Sequence, residues 1–182
     1  VQVKSSSEEE EIVYRLEVID SKGNVDYSAD DHRTVTDPIE LLMDKYTVTA
    51  ANGEPLTCFN GAYWYGENSV RVYAESQASV SIACKMRKVK FSVHFPEDEE
   101  FKTMFRNYEL EVKAGEDVLT FSSDAGKIDH IAVGDFTDTA YFAVPSDKVL
   151  TYTLKMQNAQ NRFYYTTNKI EKVNEAEHYH FD

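Results

Sequence analysis

Apolar and polar residues alternate one for one along most of this chain, and the alternation changes parity once. Ile12, Tyr14, Leu16 and Val18 fall on even positions, as do Tyr46, Val48 and Ala50, then Val70, Val72 and Ala74, then Val80, Ile82 and Cys84. From Val89 onward the apolar positions are odd: Val89, Phe91, Val93 and Phe95 alternate with Lys88, Lys90, Ser92 and His94. Period-two patterning means β-strands with one buried face, and a one-residue slip sends every side chain to the other face. A bulge, bend or crossing must therefore lie within "KMRK", residues 85–88. We read it as the boundary between two β-sandwiches, crossed with almost no linker.

The second half continues in the same style. "FPEDEEFKTMF" reads as a loop and a short helical turn, with Phe101, Met104 and Phe105 at helical spacing. Strands are expected at Tyr108–Val112, 117–122, 139–144, 148–156, 162–166 and 176–181. Turns every 8–12 residues and six or seven strands per half are the sandwich pattern. The expected fold is all-β, two tandem sandwiches over 11–86 and 87–182, after a disordered acidic and serine-rich tether over 1–10. Segment 26–45 is the least strand-like, and "DPIELLMDK" is expected to hold one helical turn. All seven glycines are expected in turns. Hydrophobic residues make up 42% of the chain, with 12 Tyr and 10 Phe, enough for a packed core.

The formal charge of −13 argues against nucleic acid, which requires a basic face, and against anionic lipid surfaces. No apolar run approaches the roughly 20 residues that span a bilayer. The opening "VQVKSSSEEEEIVYRLEVID" lacks a signal peptide and an initial Met, so a targeting segment is expected to have been removed from upstream.

In order along the chain come "IELLMDKYTVTAANGEP", "FNGAYWYGENSVRVYAESQASVSIACKMRKVKFSVHF", "FRNYELEVKAGEDVLTF", "AYFAVP" and "NKIEKVNEAEHYHF". This series resembles the fimbrillin-like surface lipoprotein domains of Bacteroidales, a domain of unknown function, over about residues 35–182. The resemblance implies a pair of immunoglobulin-like or transthyretin-like sandwiches. It also implies export, a lipid anchor on a cysteine upstream, display on the outer membrane, and no catalytic residues. The family usually has a glycine-containing turn before its second strand; here Asp44-Lys45 occupies that place.

Candidate sites are few. A bridge between Cys58 and Cys84 would close a loop worth roughly 3.5 kcal/mol in the chain-entropy model; the alternative is two buried thiols. His178 and His180 share one strand face at a spacing that can chelate a metal, but the sequence assigns no third ligand, and no metal or other cofactor is expected. Asp26, Asp30 and Asp31, and the acids of 97–100, do not fit an EF-hand and read as solvated loops. Lys85, Arg87, Lys88 and Lys90 are either a contact for an anionic glycan or local charge balance. "DTA" at 138–140 matches a short O-glycosylation pattern and would place a glycan on Thr139. No nucleophile motif is present, and no enzyme activity is expected.

The stretch "CFNGAYWYG" places Tyr63, Trp64 and Tyr65 in a row. On a strand Trp64 must point opposite to both tyrosines. One face is then core and the other is either edge packing or a platform that stacks on sugar rings. Two functions follow: a surface protein of the adhesion or fimbrial-assembly type whose partners are other surface or fimbrial proteins, or a module that captures surface or host glycan through these aromatics.

Overall fold

The structure, a computed structural model, describes residues 2–4, 12–95, 99–127 and 132–182. The expected tether over 5–10, with Glu97, Asp98 and His130, lies outside the described residues. Alternation becomes strand nearly everywhere it is seen. In chain order the elements are β1 (Gln2–Lys4), β2 (Arg15–Ile19), β3 (Val25–Ala29), β4 (Asp44–Asn52), β5 (Cys58–Phe59), β6 (Trp64–Val72), β7 (Ser81–Ala83), β8 (Lys85–Met86) and β9 (Lys88–Val93). Helix α1 (Glu99–Met104) follows, then β10 (Phe105–Ala114), β11 (Asp117–Ser122), β12 (Val133–Gly134), β13 (Ala140–Ala143), β14 (Val149–Asn158), β15 (Phe163–Glu171) and β16 (His178–Phe181).

The chain divides into two compact units, Val1–Gly53 with Tyr63–Met86, and Glu54–Ala62 with Arg87–Asp182. The parity switch falls where the first gives way to the second, between Met86 and Arg87. Segment Glu54–Ala62 departs from a simple division at that point: it leaves the first unit and supplies β5 to the second. The alternation cannot reveal this, because β5 is only two residues long. Gln2–Lys4 also departs from the expected tether, pairing in parallel with β7.

In the first unit the sheet order is β3-β2-β4-β6-β8, beside the small pair β1-β7. Tyr14, Leu16 and Val18, Tyr46, Val48 and Ala50, and Ile82 and Cys84 form its core. These are the even positions of the alternation. β2 lies inside this sheet, between β3 and β4, and is not an edge strand. No helical turn forms in "DPIELLMDK"; a short 3-10 turn forms upstream of it instead, at His32–Thr34, capped by the Asp31 carboxylate. Leu42 and Met43 of "DPIELLMDK" are exposed, with nothing to bury a helical face. Where the family places glycine before β4, Asp44 holds the turn with its side chain. Its Oδ2 accepts from the Ser21 hydroxyl (2.7 Å) and backbone N–H (3.2 Å), and its Oδ1 from the Lys45 N–H (2.7 Å).

Two glycines expected in turns lie in strands instead, Gly134 in β12 and Gly66 in β6. Gly66 is buried. A Cβ there would lie 2.5 Å from the Ala83 carbonyl oxygen and 2.9 Å from Ile82, so glycine lets β7 cross closely over β6.

The second unit is a sandwich of two sheets, β12-β11-β10-β14-β15 and β16-β9-β13-β5. Leu110, Val112, Leu119, Phe121 and Leu150 from the first sheet pack with Val89, Phe91, Val93, Ala140 and Phe142 from the second. These are the odd positions after the switch, as far as β9. Phe121 touches Phe59 edge-on (5.1 Å between centroids) and Phe91 (6.2 Å). Phe95 gathers Phe101, Tyr108, Phe136 and Phe181 around it. Each such ring stabilises by roughly 1.5–3 kcal/mol on full burial.

Candidate functional site

β6 separates the three consecutive aromatics as the pleat requires. Trp64 is half-buried and packs on the first unit's core with Val70 and Val72. Tyr63 and Tyr65 take the other face and stack, with centroids 6.1 Å apart and planes 26° apart. The Tyr65 hydroxyl donates to Glu67 Oε2 at 2.5 Å. Trp64 is therefore held by packing, and only the tyrosines remain for a platform.

Cys58 and Cys84 are not bridged to each other in the structure. They belong to different units. The Cys84 thiol is buried and donates weakly to the Ala50 carbonyl (3.7 Å). Cys58 Sγ lies 3.7 Å from the Gly61 carbonyl oxygen and 3.6 Å from Lys88 Nζ. Lys88 is 1% exposed, and its ammonium is accommodated by the Gly61 carbonyl at 2.6 Å. The basic run is thereby dispersed. Lys88 points into the second unit, and Arg87 pairs with Glu175 at 2.9 Å.

β16 runs parallel to β9, with His180 opposite Ser92 and His178 opposite Lys90. The Ser92 hydroxyl oxygen lies 2.7 Å from both His178 Nε2 and His180 Nδ1. One hydroxyl hydrogen cannot serve two acceptors, so one imidazole must donate to the oxygen while the other accepts. His180 Nε2 lies 3.0 Å from Asp182 Oδ1. In the tautomer that donates Nε2–H there, His180 Nδ1 accepts from the Ser92 hydroxyl and His178 Nε2–H donates to it. Burial, then the charges of Lys90 and His180, lower the His178 pKa. The constellation has the parts of a serine–histidine–aspartate relay, but His180 and Asp182 are 45% and 79% exposed in their side chains. Water competes for every proton there, unlike in a desolvated catalytic site.

Of the acidic cluster, Asp31 binds Arg33 through both oxygens (2.7–3.1 Å), which holds its pKa down at about 2. Asp26 accepts from the Tyr46 hydroxyl at 3.3 Å. Among the described residues no three His, Cys, Asp or Glu side chains gather as a metal site would require. Thr139 is half-buried just before β13. Its backbone is pinned on both sides by Asn60, whose N–H donates to the Thr139 carbonyl (2.7 Å) and whose Oδ1 accepts the Thr139 N–H (2.9 Å). The neighbouring Asp138 accepts from the Asn60 amide at 2.6 Å.

The structure adds two surfaces that the sequence does not single out. A groove of about 730 Å³ in the first unit is lined by Val18, Val48, Val70 and Val72, with the segments 35–41 and 72–80. On the second unit, β15 forms a sheet edge on which Phe163, Tyr164 and Tyr165 are 50%, 47% and 62% exposed. Strand 162–166 is expected from sequence, but which of its aromatics face outward depends on its register with β14. No helix among the described residues is long and apolar enough to cross a membrane.

The domain of unknown function DUF4493 matches residues 1–182. The chain belongs to that family. The match includes residues 1–34, which the resemblance from sequence left out. No curated protein matches this DUF4493 chain. Among solved structures it is similar to a fimbrial assembly protein from Parabacteroides distasonis, at 13% identity over 93% of this chain and 82% of that one, with a TM-score of 0.50. It is also similar to a provisionally named cell adhesion protein from Bacteroides eggerthii (10% identity, 94% and 79% covered, TM-score 0.48). A third similar structure is a provisionally named polysaccharide-binding protein from Bacteroides thetaiotaomicron (12%, 84% and 71%, TM-score 0.44). At these identities the likeness is one of fold: all-β, built of sandwiches.

Proposed function

We propose that this DUF4493 chain is a non-enzymatic cell-surface protein of adhesion or fimbrial assembly, working by strand pairing with other surface or fimbrial proteins. It would be exported and lipid-anchored at the outer membrane through a segment upstream. The observation that carries the reading is β15. Among the described residues it pairs with β14 alone, which leaves its other edge without a strand partner along nine residues. Natural edge strands are blunted by charge, proline or shortness. β15 is long, and its first six residues, Phe163 to Asn168, carry no charge and no proline. Such an edge offers unpaired N–H and C=O groups for β-augmentation. The fold likeness to a fimbrial assembly protein supports the same reading. Among the described residues β16, at the strand expected over 176–181, is an end strand of the other sheet.

The alternative, glycan capture by residues 63–65, is weakened because Trp64 is turned to the core.

Thr166→Pro and Thr167→Pro test the edge. Along a strand the N–H groups alternate in direction, so one variant removes an outward donor and the other a donor to β14. Sedimentation velocity at rising concentration, alone and with candidate fimbrial subunits, should show association that the outward variant abolishes without loss of fold. Association unchanged in both variants, or absent throughout, sinks the proposal.

A further inference from the structure

We infer that the outward face of β10, β14 and β15 is a binding site for a neutral pyranose glycan, with Phe163 and Tyr165 as its stacking platform. The inference does not depend on strand pairing, which acts in the plane of the sheet, whereas this site stands on its face.

Two cross-strand rows build the site. Asn107, Gln157 and Phe163 are register partners across β10, β14 and β15, and Glu109, Lys155 and Tyr165 form the next row. Side chains on one face of adjacent rows are in mutual reach. The opposite face of the same strands carries Tyr108, Leu110, Leu154 and Tyr152 into the core. Phe163 and Tyr165 are thus aromatic where the pleat calls for polar residues. They stack on each other, 6.2 Å between centroids and 26° between planes, and stay 50% and 62% exposed.

Their surroundings choose the ligand. A hollow of about 240 Å³ is lined by Asn107, Glu109, Lys155, Gln157 and Phe163. That is below the roughly 300–1,000 Å³ of drug-sized sites, and suits one ring rather than a peptide side-chain cluster. The Asn107 amide donates to Gln157 Oε1 at 3.0 Å, and Gln157 donates to Asn161 Oδ1 at 3.3 Å. An amide has two donors and an oxygen with two lone pairs, so both retain capacity for vicinal hydroxyls. Aromatic faces are electron-rich and attract the polarised C–H bonds on one side of a pyranose. A rim of amides beside two rings therefore fits a sugar, whose hydroxyls and C–H face need both.

Charge narrows the class. Lys155 Nζ lies 3.3 Å from Glu109 Oε2 and 5.8 Å from the Phe163 centroid. The ammonium is already neutralised, and the chain as a whole carries −13. The cation lining the hollow is thus already paired, which favours a neutral polymer over a uronate or sulfate.

The test is affinity electrophoresis of the full chain in native gels cast with yeast mannan, xyloglucan, galactan or laminarin, and with polygalacturonate as the anionic control. Retardation is expected in at least one neutral polymer and not in polygalacturonate. Phe163→Ala and Tyr165→Ala should each weaken it about tenfold or more, Tyr165→Phe should retain it, and Tyr63→Ala should leave it unchanged. Thermal melts of both alanine variants should match the parent, which separates loss of binding from loss of fold. No retardation in any neutral polymer overturns the inference, as does retardation that survives the double alanine variant or is lost equally in Tyr63→Ala. Retardation by polygalacturonate alone overturns the neutral assignment.

Discussion

Two aromatic pairs in this molecule have nearly the same geometry and different surroundings. Tyr63–Tyr65 on β6 and Phe163–Tyr165 on β15 are both i, i+2 pairs, both 26° between planes, with centroids 6.1 and 6.2 Å apart. That geometry is what a pleat imposes on neighbouring rings, and so says nothing about function. The difference lies around them. Tyr63 and Tyr65 are half-buried, the Tyr65 hydroxyl is committed to Glu67, and the strand beneath is clamped through Gly66. Phe163 and Tyr165 are exposed on an edge strand, beside amides with hydrogen-bonding capacity to spare. A motif of residue types is weaker than the company the fold gives it.

The same contrast extends to the units that carry the pairs. The second has a continuous aromatic core, whereas the first opens into a groove beside its valines. Truncating the aromatic core should have the largest effect. Phe121→Ala removes the ring that Phe59 and Phe91 contact and should cost about 3–5 kcal/mol. Trp64 is the only tryptophan and lies in the first unit, so its fluorescence reports that unit while circular dichroism reports both. In this variant the dichroism transition should precede the fluorescence transition; coincident transitions would break the contrast between the units. Next comes Gly66→Ala, where a Cβ meets the Ala83 carbonyl; it should cost about 1–3 kcal/mol and appear in the fluorescence melt. Lys88→Met keeps the volume but strips the Gly61 carbonyl of its donor, and should cost about 1–3 kcal/mol in chemical denaturation. By contrast Phe163→Ala with Tyr165→Ala should stay within about 0.5 kcal/mol of the parent, because exposed rings contribute little. A larger loss would mean the β15 pair is structural after all.

The smallest effect is a pH dependence. The folded pKa of His178 is lowered, so the folded state resists protonation where the unfolded chain accepts it. Stability should therefore be complete above the ordinary histidine range and decline as pH falls through it. His178→Gln should flatten that slope. A melting temperature that rises on acidification from pH 7 to 5.5, or an unchanged slope in the variant, would contradict the assignment.

The fold was largely legible because period two is an unambiguous signal when both halves keep it. Most even apolar positions to Cys84 and the odd ones from Val89 through Phe95 face the cores, although Ala74 is exposed and Lys88 is buried. The pleat likewise required that Trp64 oppose its neighbours. Less was legible where residues meet through partners distant in sequence. β5 owes its place to β13, more than 80 residues on, and a strand of two residues has no pattern to read. Gly66 looked like a turn because the close approach of Ala83 is a tertiary fact. Sequence leaves open whether Cys58 pairs with Cys84, and the fold assigns them to separate units. Phe163 and Tyr165 could not be told from Tyr164 until the register with β14 fixed which of them faced out.

The excursion of Glu54–Ala62 makes the two units inseparable as genetic cassettes. A gene cut after Met86 would encode a downstream product without the strand that flanks β13 and without Phe59 against Phe121. The upstream product would carry that strand as an idle loop. Recombination that shuffles surface proteins at such a junction would yield one unfinished sheet and one stray strand. Inheritance of this architecture is therefore all or nothing, although each half reads along the sequence as a module of its own.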